Sequence, residues 1–360
     1  MSRIYGVIMA GGGGTRFWPL SRHTMPKQLL NLSGKDRMIN ETVDRIAGIA
    51  DKNDIFIVTN VDQVPGMQAA VTVTGRVAAD HILAEPSARN TAACIGYAAM
   101  EIIKKYGDGI MTIFPSDHFI KDQRAFEEVL SYACDVADRE ECLVTLGIAP
   151  TFACTGYGYI KYEKPSGDGL SACPVMEFKE KPDAATAKEY VESGNYAWNS
   201  GMFVWKASVI LSQMKELLPD VYECIEKIGE AMGTPDEQRV IEEIYPTIPS
   251  ISIDYGIMEK ASDVRVISAD MGWSDVGSWD NLGEIYDEDE HGNVFAGEHL
   301  DIDTKGCITY SEKRLITTIG VSDLIVVETE DAILVCDKNR AQDVKLAVEE
   351  LKNRGKNEYL

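Results

Sequence analysis

The sequence predicts a doubly wound α/β domain with a mixed sheet, followed by a small β module near the C-terminal end. Three observations lead to this prediction. Short apolar runs alternate with helical patterns through the first half of the chain. Strand runs that no longer alternate regularly with helices follow, and closely spaced β runs come last. Strand, helix, strand in succession is typical of parallel strands with right-handed crossovers. We therefore predict two domains, at residues 1–286 and 287–360.

The first half of the chain contains the predicted parallel strands and the helices between them. The strand runs are IYGVIMA (4–10), DIFIVTN (54–60), DHILAE (80–85), GIMTIFPSD (109–117) and CLVTLGI (142–148). The helical runs are MINETVDRIAGIA (38–50), NTAACIGYAAMEIIKKYG (90–107) and QRAFEEVLSYACDVAD (123–138). Ligands bind such sheets at the carboxyl ends of the strands. The glycine-rich loop after the first run and the PSDH segment at 115–118 both fall at this edge.

The second half predicts antiparallel additions to the sheet and then the β module. The additions are TGYGYIKY (155–162), VMEFKEKP (175–182) and NSGMFVW (199–205). The acidic run DEDEHG (287–292) is interpreted as a solvated connector rather than a metal site. The runs GNVFAG, GCITYS, RLITTIG, DLIVVET and AILVCD then predict a module similar to a left-handed β-helix, and AQDVKLAVEELKNR (341–354) predicts a terminal helix.

Composition excludes several classes of function. The formal net charge is −23, whereas a general nucleic-acid binder needs a basic face. No apolar stretch approaches the length that crosses a bilayer, and the N-terminal apolar run is too short for a signal peptide. The eight cysteines include no C-x-x-C pair and are interpreted as reduced core residues. We expect a cytoplasmic protein with neither a nucleic acid nor a membrane as partner.

The loop MAGGGGTRFWPLSRHTMPKQ (9–28) is the strongest candidate for a binding site. It contains no acid, and the first acid of the chain is Asp36. It matches neither the Walker A pattern nor the dinucleotide-binding G-x-G-x-x-G pattern. Glycines let backbone N–H groups approach phosphate oxygens, Arg16 offers a planar bidentate donor, and Lys27 offers a compact charge. This combination predicts a polyphosphate site.

The same stretch carries a resemblance to a known family. GGGGTRFWPLSRHTMPKQ (11–28) resembles the signature G-G-x-G-T-R-F-x-P-x-S-R-x-x-x-P-K-Q of sugar-1-phosphate nucleotidylyltransferases, specifically the mannose-1-phosphate guanylyltransferases. Further matching segments follow in order: EPSARNTAACIGYAA (85–99), FPSDH (114–118), TGYGYI (155–160), FKEKPD (178–183), WNSGMFVW (198–205), SIDYGIMEKA (252–261) and WSDVGSW (273–279). The resemblance covers nearly the whole chain. It implies a Rossmann-like nucleotidyltransferase fold and the short form of the family, without an isomerase domain.

The resemblance also implies a reaction. GTP and mannose-1-phosphate would give GDP-mannose and pyrophosphate, with Mg²⁺ as cofactor, through in-line attack of a sugar-phosphate oxygen on the α-phosphorus. The attacking oxygen is already anionic, so catalysis must come from positioning and from neutralising charge. By analogy with the family, we also expect a homodimer with the β module as the contact.

The resemblance assigns a role to each candidate residue. The catalytic set is Arg16 and Lys27 on the triphosphate, with Asp117 and Asp275 as the two Mg²⁺ ligands. His118 is interpreted as a structural or supporting residue rather than a ligand. The nucleotide-binding set is Ala10, Gly11, Gly12, Gly14, Thr15, Glu85, Arg89, Asn90 and Ser116, of which Glu85, Arg89 and Asn90 would lie at the base. The sugar-phosphate set is Gly158, Glu180, Lys181 and Asn199.

Three other functions stay open on the sequence alone. Another pyrophosphorylase, joining glucose-1-phosphate to UTP or dTTP, would share the loop but not the FWPLSR, PKQ and EPSARNTA segments. A catalytically silent regulatory homologue that binds GDP-mannose would not need all of the catalytic set. A Rossmann dehydrogenase would need the dinucleotide pattern that the loop lacks.

Overall fold

The computed structural model describes residues 2–165, 167 and 169–360, and their contacts divide the chain into two compact units. Unit 1 comprises Met1–Gly11, Val43–Ser116 and Ile120–Trp273, and unit 2 comprises Gly12–Thr42, Asp117–Phe119 and Ser274–Leu360. Each unit therefore combines segments that are distant in the sequence. The predicted domains, 1–286 and 287–360, stay a prediction about chain organisation, because the compact units reflect contacts rather than chain order.

The predicted strands and helices occur in the predicted order, with further strands and helices between them. The strands in the described residues are β1 (Ile4–Met9), β2 (Ile55–Asn60), β3 (Ile82–Glu85), β4 (Ile110–Pro115), β5 (Phe119–Ile120), β6 (Leu143–Ile148), β7 (Tyr159–Tyr162), β8 (Ala172–Lys179), β9 (Tyr196–Lys206), β10 (Val264–Ser268), β11 (Trp273–Ser274), β12 (Val294–Ala296), β13 (His299–Ile302), β14 (Ile308–Ser311), β15 (Ile316–Ile319), β16 (Leu324–Glu328) and β17 (Ile333–Asp337). The α-helices there are α1 (Met38–Ile46), α2 (Val64–Met67), α3 (Asn90–Tyr106), α4 (Gln123–Glu140), α5 (Ala184–Ser193), α6 (Ala207–Leu217), α7 (Pro219–Ala231), α8 (Glu237–Ile244) and α9 (Val344–Asn353).

Unit 1 is built on one mixed sheet. Among the described residues its strands lie in the order β3-β2-β1-β4-β9-β6-β10-β8-β7. Strands β1 to β4 are parallel, and β9 is inserted antiparallel between β4 and β6. The predicted doubly wound mixed sheet is thus confirmed. The antiparallel strand β9 occupies the middle of the sheet, a position that periodicity does not encode.

Helix α3 packs closely in the core of unit 1 because several of its buried residues are small. Ala92, Ala93, Ala98 and Ala99 are fully buried. A Cβ on Gly96 would lie 2.9 Å from the Met214 sulfur of α6 and 3.2 Å from Ile225 of α7. Small side chains therefore let α6 and α7 approach α3, and they build the apolar layer on one face of the sheet.

The last strands of unit 2 form a β-helix-like module. Strands β12, β14 and β16 pair in parallel, β13 pairs in parallel with β15, and β17 closes the larger sheet antiparallel to β16. Val294, Ile308 and Ile325 occupy equivalent positions on the three parallel strands and are fully buried. The predicted C-terminal β module is confirmed, and its left-handedness stays a prediction. Strand β13 was not predicted, because HLDI has no buried residue.

The glycine-rich segment folds against this module within unit 2. Phe17 packs on Trp279 with ring centroids 5.1 Å apart, and Trp279 packs on Tyr310 at 5.4 Å. The Trp279 indole donates to the Trp18 carbonyl at 3.0 Å, and the Trp18 indole donates to the Tyr359 carbonyl at 2.8 Å. The loop therefore shares one apolar core with the C-terminal strands.

Two further observations concern the chain as a whole. No helix in the described residues is long and apolar enough to cross a bilayer. All eight cysteines lie in the described part of the chain, and no disulfide bond joins any of them. Five of the cysteines are buried, as predicted for core residues, whereas Cys154, Cys224 and Cys336 are half-buried.

Candidate active site

The glycine-rich loop of unit 2 requires glycine at position 14. Gly14 has a φ of +60°, a conformation that glycine adopts without strain. A Cβ there would overlap the Lys27 side chain and lie 2.9 Å from the Lys27 backbone nitrogen. Gly14 directly precedes a short 3-10 helix, Thr15–Phe17, whose Phe17 N–H donates to the Gly14 carbonyl at 3.0 Å. The missing Cβ thus lets the two ends of the loop touch.

The Lys27 ammonium lies at the centre of the unit 2 site. The Lys27 side chain is 6% exposed. The residue begins a second 3-10 helix, Lys27–Leu29. It donates to the Asp117 carboxylate at 2.9 Å, to the Asp117 carbonyl at 3.0 Å and to the Asp275 carbonyl at 2.6 Å. An ammonium has three N–H donors, so these bonds use all of them. Lys27 therefore ties together three segments that are far apart in the sequence.

The surroundings of Lys27 form a polar cavity of about 270 Å³. Burial alone would raise the pKa of the Asp117 carboxyl, but the charges of Lys27 and His118 and the bond from Lys27 lower it below its usual range. Arg16 is exposed and donates to the Gly277 carbonyl at 3.3 Å. The lining residues are Gly14, Thr15, Arg16, Lys27, Asp117, His118, Asp275 and Gly277, all within unit 2. The four catalytic candidates are thus brought together.

The donors in this cavity fit a magnesium ion. Asp117 and Asp275 supply hard carboxylate oxygens, which Mg²⁺ prefers. The described residues contain no group of three or more His, Cys, Asp and Glu side chains suited to a metal. The protein alone therefore offers a partial coordination shell. Mg²⁺ usually retains several waters and binds through one or two carboxylates plus substrate phosphates. The two carboxylates of Asp117 and Asp275 match this mode of coordination.

The candidate base site in unit 1 centres on Glu85. Its carboxylate is buried and accepts a short hydrogen bond from the Tyr245 hydroxyl. Burial raises the pKa of Glu85, and the bond from Tyr245 partly offsets the rise. A Cβ on Gly11 would lie 3.2 Å from the Glu85 carboxylate, so this glycine lies against it. A carboxylate held in this way can accept hydrogen bonds from a ligand.

The other candidate nucleotide-binding residues differ in their hydrogen-bond partners. Arg89 Nε is buried and has no hydrogen-bond partner among the described residues. Asn90 begins α3 at a φ of +64°, and its side chain accepts from the Thr91 N–H at 2.8 Å. Backbone bonds hold three more candidates: Ala10 N–H to Val58, Ser116 N–H to Met9, and the Gly12 carbonyl to the Gln28 side chain. Their assigned roles stay predictions.

The candidate sugar-phosphate residues cluster in unit 1. A Cβ on Gly158 would overlap the Glu180 carboxylate and lie 3.2 Å from Asn199 Cβ, so these three residues are in contact. The Gly158 carbonyl accepts from the Asn199 N–H at 2.8 Å. Lys181 has a φ of +46° and donates a short hydrogen bond to the Glu180 carboxylate. The structure thus brings all four candidates together.

The structure places two further side chains, those of Asp254 and Tyr245, in hydrogen-bond contact with candidate residues. The sequence analysis did not single out either of them. Asp254 accepts from the Asn199 amide at 2.9 Å. Burial and the charge of Glu180 raise the pKa of Asp254 to about 6. Asp254 stands in the segment SIDYGIMEKA, which the sequence analysis matched to the family without giving its two acids a role. Tyr245 directly follows α8, and its sequence context carries no signal of a functional role.

This fold, with a glycine-rich loop, a buried lysine and two aspartates around a polar cavity, defines the class of enzymes that transfer nucleotidyl groups. The chain belongs to the nucleotidyl transferase family, whose sequence pattern matches residues 5–292. Residues 297–351 match the MannoseP isomerase/GMP-like beta-helix domain. The family resemblance predicted from the loop is therefore confirmed.

Individual relatives are similar over almost the whole chain. The mannose-1-phosphate guanylyltransferase of Escherichia coli (strain K12) is 40% identical, covering 99% of this chain and 75% of the relative. The xanthan biosynthesis protein XanB of Xanthomonas campestris pv. campestris (strain B100) is also 40% identical with the same coverage. A crystal structure described as mannose-1-phosphate geranyltransferase from Thermus thermophilus matches with a TM-score of 0.88 at 33% identity, covering 97% of this chain and 99% of that one.

Replacing Gly14 by alanine is expected to destabilise unit 2. The substitution places a Cβ against Lys27 at a positive φ, which we expect to lower the free energy of unfolding by about 2–4 kcal/mol. Gly13→Ala is the matched control, because a Cβ there meets nothing within 4 Å. Urea unfolding of both variants checks this, and equal stability of the two would contradict the close contact at Gly14.

Replacing Asp254 by asparagine is expected to stabilise the protein at pH 7.5 but not near pH 4. The folded state holds the Asp254 proton more tightly than the unfolded chain, because the pKa rises from 3.8 to about 6. The stabilising contribution of this carboxyl is present below pH 4 and is lost as the pH rises through about 6, a loss of up to about 3 kcal/mol.

Asparagine stays neutral and avoids that loss. Unfolding midpoints at both pH values measure the effect, with the exposed Asp220→Asn as control. An Asp254→Asn protein no more stable than the native protein at pH 7.5 would contradict the raised pKa.

Proposed function

We propose that this protein transfers GMP from GTP to mannose-1-phosphate, giving GDP-mannose and pyrophosphate. The observation that carries the proposal is the Lys27 ammonium, bound to Asp117 and Asp275 beside Arg16 in one cavity. The 40% identity to the Escherichia coli guanylyltransferase over almost the whole chain supports the choice of substrates.

The residues of unit 2 would act on the triphosphate. An oxygen of the sugar phosphate attacks the α-phosphorus, the new P–O bond forms, and the bond to the β-phosphate oxygen breaks with its electron pair leaving on pyrophosphate. Arg16 would bind phosphate oxygens as a bidentate donor. Because the three donors of Lys27 already have protein acceptors, Lys27 would act through its nearby positive charge rather than through a spare N–H.

Asp117 and Asp275 would hold a divalent cation, and we propose Mg²⁺. When bound, the cation neutralises phosphate charge and helps orient the leaving group. The charges of Arg16, Lys27, Asp117 and Asp275 cancel formally, so the protein side of the cavity cannot by itself balance a triphosphate. This imbalance is the physical reason to expect a cation with the nucleotide.

The residues of unit 1 would select the two substrates. Glu85 can accept from the N1–H and N2–H₂ of guanine together, a pattern that adenine lacks, and Arg89 Nε offers a buried donor without a partner among the described residues. Glu180 would accept from mannose hydroxyls, Lys181 would face the sugar phosphate, and Asn199 would donate from its amide. The tight contacts at Gly158 keep these groups close together.

We also propose a cytoplasmic homodimer with neither a nucleic acid nor a membrane as partner. Leu300, Ile302 and Ile319 are 50%, 47% and 62% exposed on the paired strands β13 and β15, and such adjacent apolar side chains suit contact with a second copy. The net charge of −23 disfavours nucleic acid, and the eight reduced cysteines suit the cytoplasm. A monomer mass in sedimentation at micromolar concentration would contradict the dimer.

Pyrophosphate release from each pairing of nucleotide and sugar phosphate tests the proposed reaction. We expect GTP with mannose-1-phosphate to be preferred at least about 100-fold in kcat/KM over UTP or dTTP with glucose-1-phosphate, since mispaired polar groups in a buried site are costly. A chelator should stop release and added Mg²⁺ should restore it. Preference for UTP or dTTP would support the neighbouring pyrophosphorylase class, and GDP-mannose binding without turnover would support the silent homologue.

A further inference from the structure

The segment that follows Ile253 forms hydrogen bonds with two of the candidate sugar-phosphate residues, Asn199 and Glu180. Residues Asp254–Met258 form one turn of π-helix, a feature frequent at functional sites. At its start, Asp254 accepts from the Asn199 amide at 2.9 Å. Directly after it, Glu259 accepts the backbone N–H of Glu180 at 3.0 Å. One short segment therefore holds both a candidate donor and a candidate acceptor for the sugar.

The Asn199 amide has only one orientation that satisfies its neighbours. Its oxygen accepts from the Thr145 hydroxyl at 3.3 Å and from the Gly201 N–H at 3.2 Å, and its nitrogen donates to Asp254. A flipped amide would place its NH₂ group against the Gly201 N–H and its oxygen against the Asp254 carboxylate. With Asp254 in place, one amide N–H of Asn199 remains for a ligand.

The Asn199 amide nitrogen and the Glu180 carboxylate both lie within 3.6 Å of the point where a Cβ on Gly158 would stand. A donor next to an acceptor matches two neighbouring hydroxyls of a sugar ring, one accepting and one donating. We propose that Asp254 is a positioning residue for the sugar of the sugar phosphate, acting through the Asn199 amide. This inference rests on the proposed function and extends it to a residue outside the predicted sugar set.

The electrostatics of the cluster favour a functional over a structural reason for Asp254. Glu180 repels the Asp254 charge, Lys181 attracts it, and Asn199 donates to it. Burial beside another carboxylate destabilises the ionised form, so a neutral side chain would serve packing better. The hydrogen bond from the Asn199 amide gives an acceptor oxygen at this position a function.

The segment is also held in place from its other side. The Ile253 N–H donates to the Thr91 hydroxyl at 2.8 Å, and the Ala92 N–H donates to the Ile251 carbonyl at 3.2 Å. Both bonds fix the segment to the first turn of α3, where Asn90 lies. Asp254 is therefore anchored to a regular element and not to a free loop.

A double-mutant cycle on Asp254 and Asn199 tests the proposal in the full-length enzyme. We expect Asp254→Ala and Asn199→Ala each to raise the KM for mannose-1-phosphate about tenfold, the effect of one lost hydrogen bond, with the KM for GTP changing less than about twofold. The double variant should be no more than about threefold worse than the poorer single variant, because both remove the same contact.

Conservative replacement separates positioning from general damage. Asp254→Asn keeps an oxygen that can accept from Asn199, so its KM for mannose-1-phosphate should stay within about threefold of the native value. Asp220→Ala, an exposed aspartate in the first turn of α7, is the control and should leave both KM values unchanged.

Three outcomes overturn the proposal: an unchanged KM for the sugar phosphate in Asp254→Ala, additive effects in the double variant, or an equal rise in the KM for GTP. Failure of the proposed function is distinguishable, because the native enzyme would then prefer another sugar phosphate in the same assay. The cycle is then run with that sugar phosphate, and the same three outcomes decide.

Discussion

The hydrogen bonds of one ammonium group, that of Lys27, hold the candidate catalytic centre together. Lys27 contacts Asp117 and Asp275, which lie 90 and 248 residues further along the chain. A nearly buried ammonium without these acceptors would be costly, and two carboxylates lining a cavity without a cation would repel each other. The loop can bring Lys27 to this position only because Gly14 leaves room for its side chain.

The same centre depends on the C-terminal strands. Within unit 2, Phe17 and Trp18 contact Trp279, and Trp279 contacts Tyr310 on β14. Arg22, near the middle of the glycine-rich segment, forms an ion pair with Asp331 at 2.6 Å. The β-helix-like strands therefore form the core against which the glycine-rich segment folds. These strands thus support the candidate catalytic centre of unit 2.

Much of the fold follows from local sequence, and much of the site does not. Strands β1, β2, β3, β4 and β6 were predictable because each is a short apolar run bounded by turn residues. The two-residue strand β5 was not predicted, and neither was β13, which has no buried residue. The family signature identified Lys27, Asp117 and Asp275, but no periodicity predicts that they meet. The position of β9 inside the sheet and the contact of Asp254 with Asn199 are set by long-range packing, which a single sequence does not encode.

The most direct test of this account is the single-turnover rate of pyrophosphate release by Lys27→Met at saturating GTP and mannose-1-phosphate. Methionine keeps much of the side-chain volume but removes the charge and all three hydrogen bonds. The account predicts a rate at least about 100-fold below that of the native enzyme, as expected for loss of electrostatic stabilisation, with no recovery when Mg²⁺ is raised. A folded Lys27→Met protein with the native rate, or one restored by additional Mg²⁺, would contradict it.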